Sequence, residues 1–124
     1  MREVIGGDTR EQPPLLDRVS SDAALRRIFE SEETGLFHLE LHSDRPVNIG
    51  HEQLVSLILC LDGSVVLTED GEETIVERGN YAVVQEGQIC TLAAGGAGGA
   101  ETLLFVGLEQ LPGAFFNSFG PANV

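Results

Sequence analysis

The sequence predicts an all-β sandwich or barrel, on three observations. Residues 54–92, LVSLILCLDGSVVLTEDGEETIVERGNYAVVQEGQICTL, hold five short aliphatic runs: Leu54–Leu61, Val65–Leu67, Thr74–Val76, Tyr81–Val84 and Ile89–Leu92. The first four stop at glycine turns, Asp62-Gly63, Glu69-Asp70-Gly71, Arg78-Gly79 and Glu86-Gly87. Upstream, Leu36–His42 alternates strictly, with Phe37, Leu39 and Leu41 on one face and His38, Glu40 and His42 on the other. Period two marks a strand with one buried and one polar face. Brief runs closed by regular glycine turns mark antiparallel strands, and the spacing is too short for helices of ~10 residues.

Taken in order, residues 1–14 carry Gly6-Gly7, several charges and Pro13-Pro14, and read as an extended arm. Residues 15–30, LLDRVSSDAALRRIFE, hold the one helical pattern. Ser20 or Ser21 serves as N-cap, Asp22 complements the helix dipole, and Leu25, Ile28 and Phe29 make an apolar stripe at i, i+3, i+4. A short N-terminal helix is therefore expected. After Leu36–His42, Arg45-Pro46 turns the chain into a brief strand at Val47–Ile49, followed by Gly50-His51-Glu52. Residues 93–100, AAGGAGGA, form a flexible connector before the strand-like stretch Glu101–Leu108. A phosphate-cradling loop is expected to run into a helix, which this one does not. The tail carries Phe115, Phe116 and Phe119, and aromatics at that density cover a core or a subunit interface.

The 124 residues make one domain: an arm with its helix over 1–35, a barrel over 36–108 and an aromatic tail over 109–124. The formal charge of -13, with seven basic residues against 20 acidic ones, argues against binding nucleic acid or an anionic membrane. The N-terminus lacks a secretory apolar core and no run approaches the ~20 residues of a membrane span, so the expected address is the cytoplasm. Cys60 and Cys90, the two cysteines, are expected as free thiols.

The order of these elements resembles the cupin superfamily. The stretch LILCLDGSVVL…GEETIVERGNYAVV is similar to that family's glycine-punctuated run, and more loosely to the C-terminal cupin domain of type I mannose-6-phosphate isomerases. The resemblance covers residues ~36–108. It implies a double-stranded β-helix (a jelly-roll barrel) and, since family members commonly pair, a homodimer. In the family's first metal motif, anchored on Gly63, the glutamate place falls on Ser56 and the two histidine places on Ile49 and His51 with a four-residue gap, or on Gly50 and Glu52 with a three-residue gap. In the second, anchored on Gly79, the histidine place falls on Cys90 and the asparagine place on Ala94. The turn glycines persist while the ligand set is broken, so no resident metal is expected in the barrel.

Strand parity lines the barrel interior with His51, Ser56, Ile58, Cys60, Cys90 and Leu92, a mostly apolar pocket with a few polar handles. His51 and Cys90 offer either a His–Cys couple or a turn histidine beside a space-filling thiol. Tyr81 reads as a general acid in a cavity or as a strand aromatic at the rim. His38, Glu40 and His42 share one strand face, as metal ligands or as a solvated outer surface. Three functions follow: a non-metal cupin that binds a carbohydrate or metabolite, a metal-dependent dioxygenase or sugar isomerase with a non-standard ligand set, and a regulatory or structural interaction module.

Overall fold

A computed structural model of the chain describes residues 6–12, 14–19 and 22–107. Ten strands run through it: β1 Pro14–Val19, β2 Ala23–Glu30, β3 Gly35–Leu41, β4 Val47–Gly50, β5 Ser56–Asp62, β6 Ser64–Glu69, β7 Glu72–Glu77, β8 Tyr81–Val84, β9 Ile89–Ala94 and β10 Ala100–Val106. They form a six-stranded sheet in the order β1-β2-β3-β10-β5-β8 and a four-stranded sheet in the order β4-β9-β6-β7. Every pairing is antiparallel.

The aliphatic runs become strands because alternate residues of each find the space between the two sheets. In β5, Ser56, Ile58 and Cys60 point inward, and in β9 so do Cys90, Leu92 and Ala94. All of these but Ser56 join Leu39, Leu41, Val65, Val76, Val84 and Leu104 in one apolar cluster. Thr102, also buried, satisfies its hydroxyl on the Leu39 carbonyl at 3.3 Å. The turns follow the glycines. At the β6–β7 hairpin Asp70 (φ 50°) and Gly71 (φ 80°) supply the two consecutive positive φ angles of a two-residue type I′ loop.

The expected N-terminal helix is not formed. Residues 23–30 are strand β2, paired along β3, and the helical geometry nearby is a single 3-10 turn at Thr9–Glu11, capped by Asp8. A β-bulge explains the misreading. The register jumps between Arg27 and Phe29, so Ile28 is an extra residue and the alternation slips there. Leu25 packs on the core while Phe29 turns outward, so a helix-like spacing of three and four arises from an interrupted period of two. Once β3 folds, its edge needs a partner, and that requirement outweighs local helix preference.

Outside the six-stranded sheet, the opposite parity stacks residues in cross-strand rows. One row runs Phe29, Leu36, Phe105, Leu57, Val83 across β2, β3, β10, β5 and β8. The next runs Arg26, His38, Leu103, Leu59, Tyr81. Phe29, Tyr81 and Val83 are exposed. The tail with Phe115, Phe116 and Phe119 lies outside the described residues. Among those described, no helix is long and apolar enough to cross a membrane.

Candidate functional site

Three places concern function: the cup between the sheets, its mouth, and a polar cluster on the outer face of the large sheet. The cup is filled. Ile58, Cys60 and Leu92 are 0% exposed and Ser56 and Cys90 only 2%. The Cys60 thiol points at the backbone carbonyls of Asp62 and Gly63, and the Cys90 thiol at that of Ile49. Burial raises the pKa of both thiols and keeps them protonated.

His51 is not in the cup. It sits exposed in the loop between β4 and β5, where its Nδ1 accepts the amides of Gln53 at 3.0 Å and Leu54 at 3.1 Å. That places the neutral ring's proton on Nε2 and gives His51 a partner set separate from that of Cys90. Tyr81 is not in the cup either: Ala82 and Val84 take the inward parity of β8, and Tyr81 stands on the outer face, 66% exposed.

The residues present do not fit a metal inside the cup. The places that the cupin resemblance gives to ligands hold Ile49, a histidine turned to its own loop, a serine and a protonated thiol, where a bound transition metal needs three or more converging donors.

His51 does line a hollow of about 210 Å³ at the mouth of the cup, together with Phe37, Leu54, Val106, Glu30 and Glu32. Phe37 closes the cup beneath it, its ring lying over Gly35, where a Cβ would come within 2.5 Å of Cε2.

The polar cluster joins residues that period-two spacing paired with one that it did not. His38 and Glu40 share the outer face of β3, and the β3–β10 register sets Glu101 directly opposite Glu40. His38 Nδ1 lies 3.9 Å from Glu40 Oε1 and Nε2 lies 3.8 Å from Glu101 Oε2. Both gaps are too long for hydrogen bonds. His38 is nevertheless 0% exposed, and among the described residues neither ring nitrogen has a hydrogen-bond partner. A buried polar group left so costs about 1–3 kcal/mol. Alternation puts His38 on the polar face of its strand, but that face is covered there: Arg26, opposite His38, reaches across to the Gln12 carbonyl and ties the N-terminal turn to the sheet.

The carboxylates are held by other cations. Arg26 Nε donates to Glu40 Oε1 at 3.0 Å, and Arg10 Nη2 lies 2.8 Å from Glu101 Oε2. Desolvation pushes the Glu40 pKa up, but the hydrogen bonds from Arg26 and His42 outweigh it and the net direction is down. His42 thus touches Glu40, at 3.2 Å, rather than completing a triad with His38. Glu101 was not legible as a member, because nothing in its own strand marks it and only the register of β10 supplies it.

No family model and no curated protein matches the chain. Solved structures do. A predicted oxalate decarboxylase from Thermotoga maritima is 15% identical with a TM-score of 0.70, the match covering 82% of this chain and 97% of that one. The cupin domain of Schizosaccharomyces pombe Cnp3 is 10% identical with a TM-score of 0.71, covering 98% and 86%. The cupin domain of an XRE-family transcriptional regulator from Enterobacter cloacae is 8% identical with a TM-score of 0.63, covering 71% and 98%. Identities this low speak to architecture alone. With the two antiparallel sheets they establish that this chain has the cupin-type double-stranded β-helix fold.

Proposed function

We propose that this protein is a non-catalytic cupin that binds a small, neutral, carbohydrate-like ligand at the mouth of the cup. The observation that carries this is the hollow itself: one aromatic floor, Phe37, with Leu54 and Val106 beside it, ringed by His51, Glu30 and Glu32. An apolar body with a few placed polar groups is the usual make-up of a small-molecule site. The aromatic and aliphatic side chains receive the apolar face of a sugar ring. The Glu30 and Glu32 carboxylates accept from hydroxyls, and His51 Nε2–H donates. At about 210 Å³ the space suits one small ring. The packed cup beneath has no comparable room, and its broken ligand set favours binding over catalysis. The looser likeness to mannose-6-phosphate isomerases enters only through the sugar class, since two carboxylates at the rim repel a phosphate.

Thermal-shift titration tests this with neutral pentoses and hexoses beside their phosphate esters. A neutral sugar is expected to raise Tm and its phosphate ester to have no effect. His51→Asn keeps an acceptor for the Gln53 and Leu54 amides but removes the Nε2 donor, and is expected to reduce the response several-fold. A flat panel, or a full response from the His51→Asn chain, overturns the reading.

A second copy of the chain belongs to the same proposal. The two cross-strand rows outside the large sheet place eight apolar side chains, Phe29, Leu36, Leu57, Leu59, Tyr81, Val83, Leu103 and Phe105, side by side. A contiguous apolar face of this kind marks an association surface, and it favours a homodimer that works as an interaction module.

A further inference from the structure

The large sheet carries a row of three carboxylates across adjacent strands: Glu40 on β3, Glu101 opposite it on β10, and Asp62 opposite Glu101 on β5. Like charges set directly opposite one another repel, so such a row needs positive charge. Arg26 supplies it at Glu40 and Arg10 at Glu101. Neither satisfies His38, the next outward residue along β3, whose two buried ring nitrogens have no hydrogen-bond partner among the described residues; Nδ1 faces Glu40 from 3.9 Å and Nε2 faces Glu101 from 3.8 Å.

Neither gap is a hydrogen bond. The two nitrogens look out from opposite edges of the ring, so one ion takes one of them and the carboxylate at the other edge swings round to it. One donor atom each from His38, Glu40 and Glu101 lies within 4.8 Å of the others. Tetrahedral zinc, with bonds of about 2.0–2.2 Å, holds its ligands roughly 3.4 Å apart. Rotamer adjustment of two glutamates, each about a quarter exposed or less, covers the difference. With Arg10 displaced, the three carboxylates of the row balance Arg26 and a divalent ion. An imidazole among carboxylates favours zinc and its neighbours over calcium or magnesium. The site has an approach: Glu40 and Glu101 line a hollow of about 280 Å³ with His42, Asp62, Gly98 and Gly99. Gly99 lets the loop come this close, because its φ is 77° and a Cβ there would stand 2.6 Å from the Leu41 carbonyl oxygen.

We propose that His38, Glu40 and Glu101 bind a divalent transition-metal ion of the zinc class on the outer face of the large sheet, with its remaining coordination positions open to this hollow. Arg26 stays on Glu40, and Arg10 is the competitor at Glu101. Its ion pair with Glu101 is largely exposed, at 61% for the arginine, and exposed pairs hold weakly. The site lies on the opposite side of the sheet from Ile58 and Cys60, so it is independent of the cup and its mouth.

The test uses the full chain without a histidine tag, stripped by chelator and titrated with Zn²⁺, and with Co²⁺ as an absorbing probe. About one equivalent is expected to bind, with a visible Co²⁺ ligand-field spectrum. His38→Asn is expected to weaken binding about tenfold or more, as is Glu101→Gln, which alters a partly exposed residue and so guards against a misfolded His38 variant. Arg10→Gln is expected to tighten binding several-fold, and His51→Asn to leave it unchanged, which separates this site from the sugar hollow. Binding below a tenth of an equivalent overturns the proposal. So does wild-type affinity in both the His38→Asn and Glu101→Gln chains, or weaker binding by Arg10→Gln.

Discussion

Cys60 and Cys90 show how burial alone fixes the chemistry of a side chain. Desolvation favours the neutral thiol at both positions, so the folded-state pKa lies above that of the unfolded chain. The sign follows directly. As pH rises past about 8.5 the unfolded chain releases its thiol protons first, while the native state keeps them. Stability from these groups is therefore complete below that pH and is lost as pH climbs toward the folded-state values. The chain has no lysine (its seven basic residues are all arginine) and a single tyrosine, so few other groups titrate there. The urea midpoint is expected to fall between pH 7.5 and about 9.5, and the Cys60→Ala, Cys90→Ala double variant to show a flatter decline. Equal slopes in the two chains would contradict it. The inward parity of both cysteines was legible from strand alternation. The different partners of Cys90 and His51 were not, because a loop histidine orients by the backbone amides that happen to reach it.

Among the elements, the hairpin β6–β7 and the strand β2 stand at opposite ends of legibility. Asp70-Gly71 between two aliphatic runs is a local instruction, since only a pair that tolerates positive φ closes a two-residue loop between right-twisted strands. Gly71 has open space around it, so Gly71→Ala is expected to cost about 1–2 kcal/mol through backbone strain alone. Denaturant unfolding measures this, and an unchanged midpoint would show that the loop relaxes to another turn. Strand β2 carries no such instruction. Its apolar spacing is helical because of the extra residue at Ile28, and its conformation is decided by the open edge of β3. The same logic hides Glu101: His38 and Glu40 are two residues apart in sequence, whereas their third partner comes from a strand sixty residues on, through register.

At the scale of the whole molecule, the two sheets enclose a packed cup, and the large sheet turns eight apolar side chains outward beside Arg26 and His38. With a formal charge of -13, two copies repel at long range, so the proposed dimer rests on burying that apolar face. Light scattering is expected to give a dimer whose stability increases with salt, and Val83→Glu, at an exposed outward position, to give a folded monomer. A monomeric wild-type chain at tens of micromolar, on the order of working concentrations for transient pairs, would remove this part of the proposal. The residue pattern by itself determined the β class, the turns and which side of most strands faces inward, because alternation and positive-φ turns are short-range properties of the chain. Which strands become neighbours, that the cup is full, that Tyr81 faces out, and that a histidine and two glutamates gather outside it were decided only by the folded arrangement. Register and bulges are settled by the pairing of strands distant in sequence, and a one-residue slip sends every side chain beyond it to the other face.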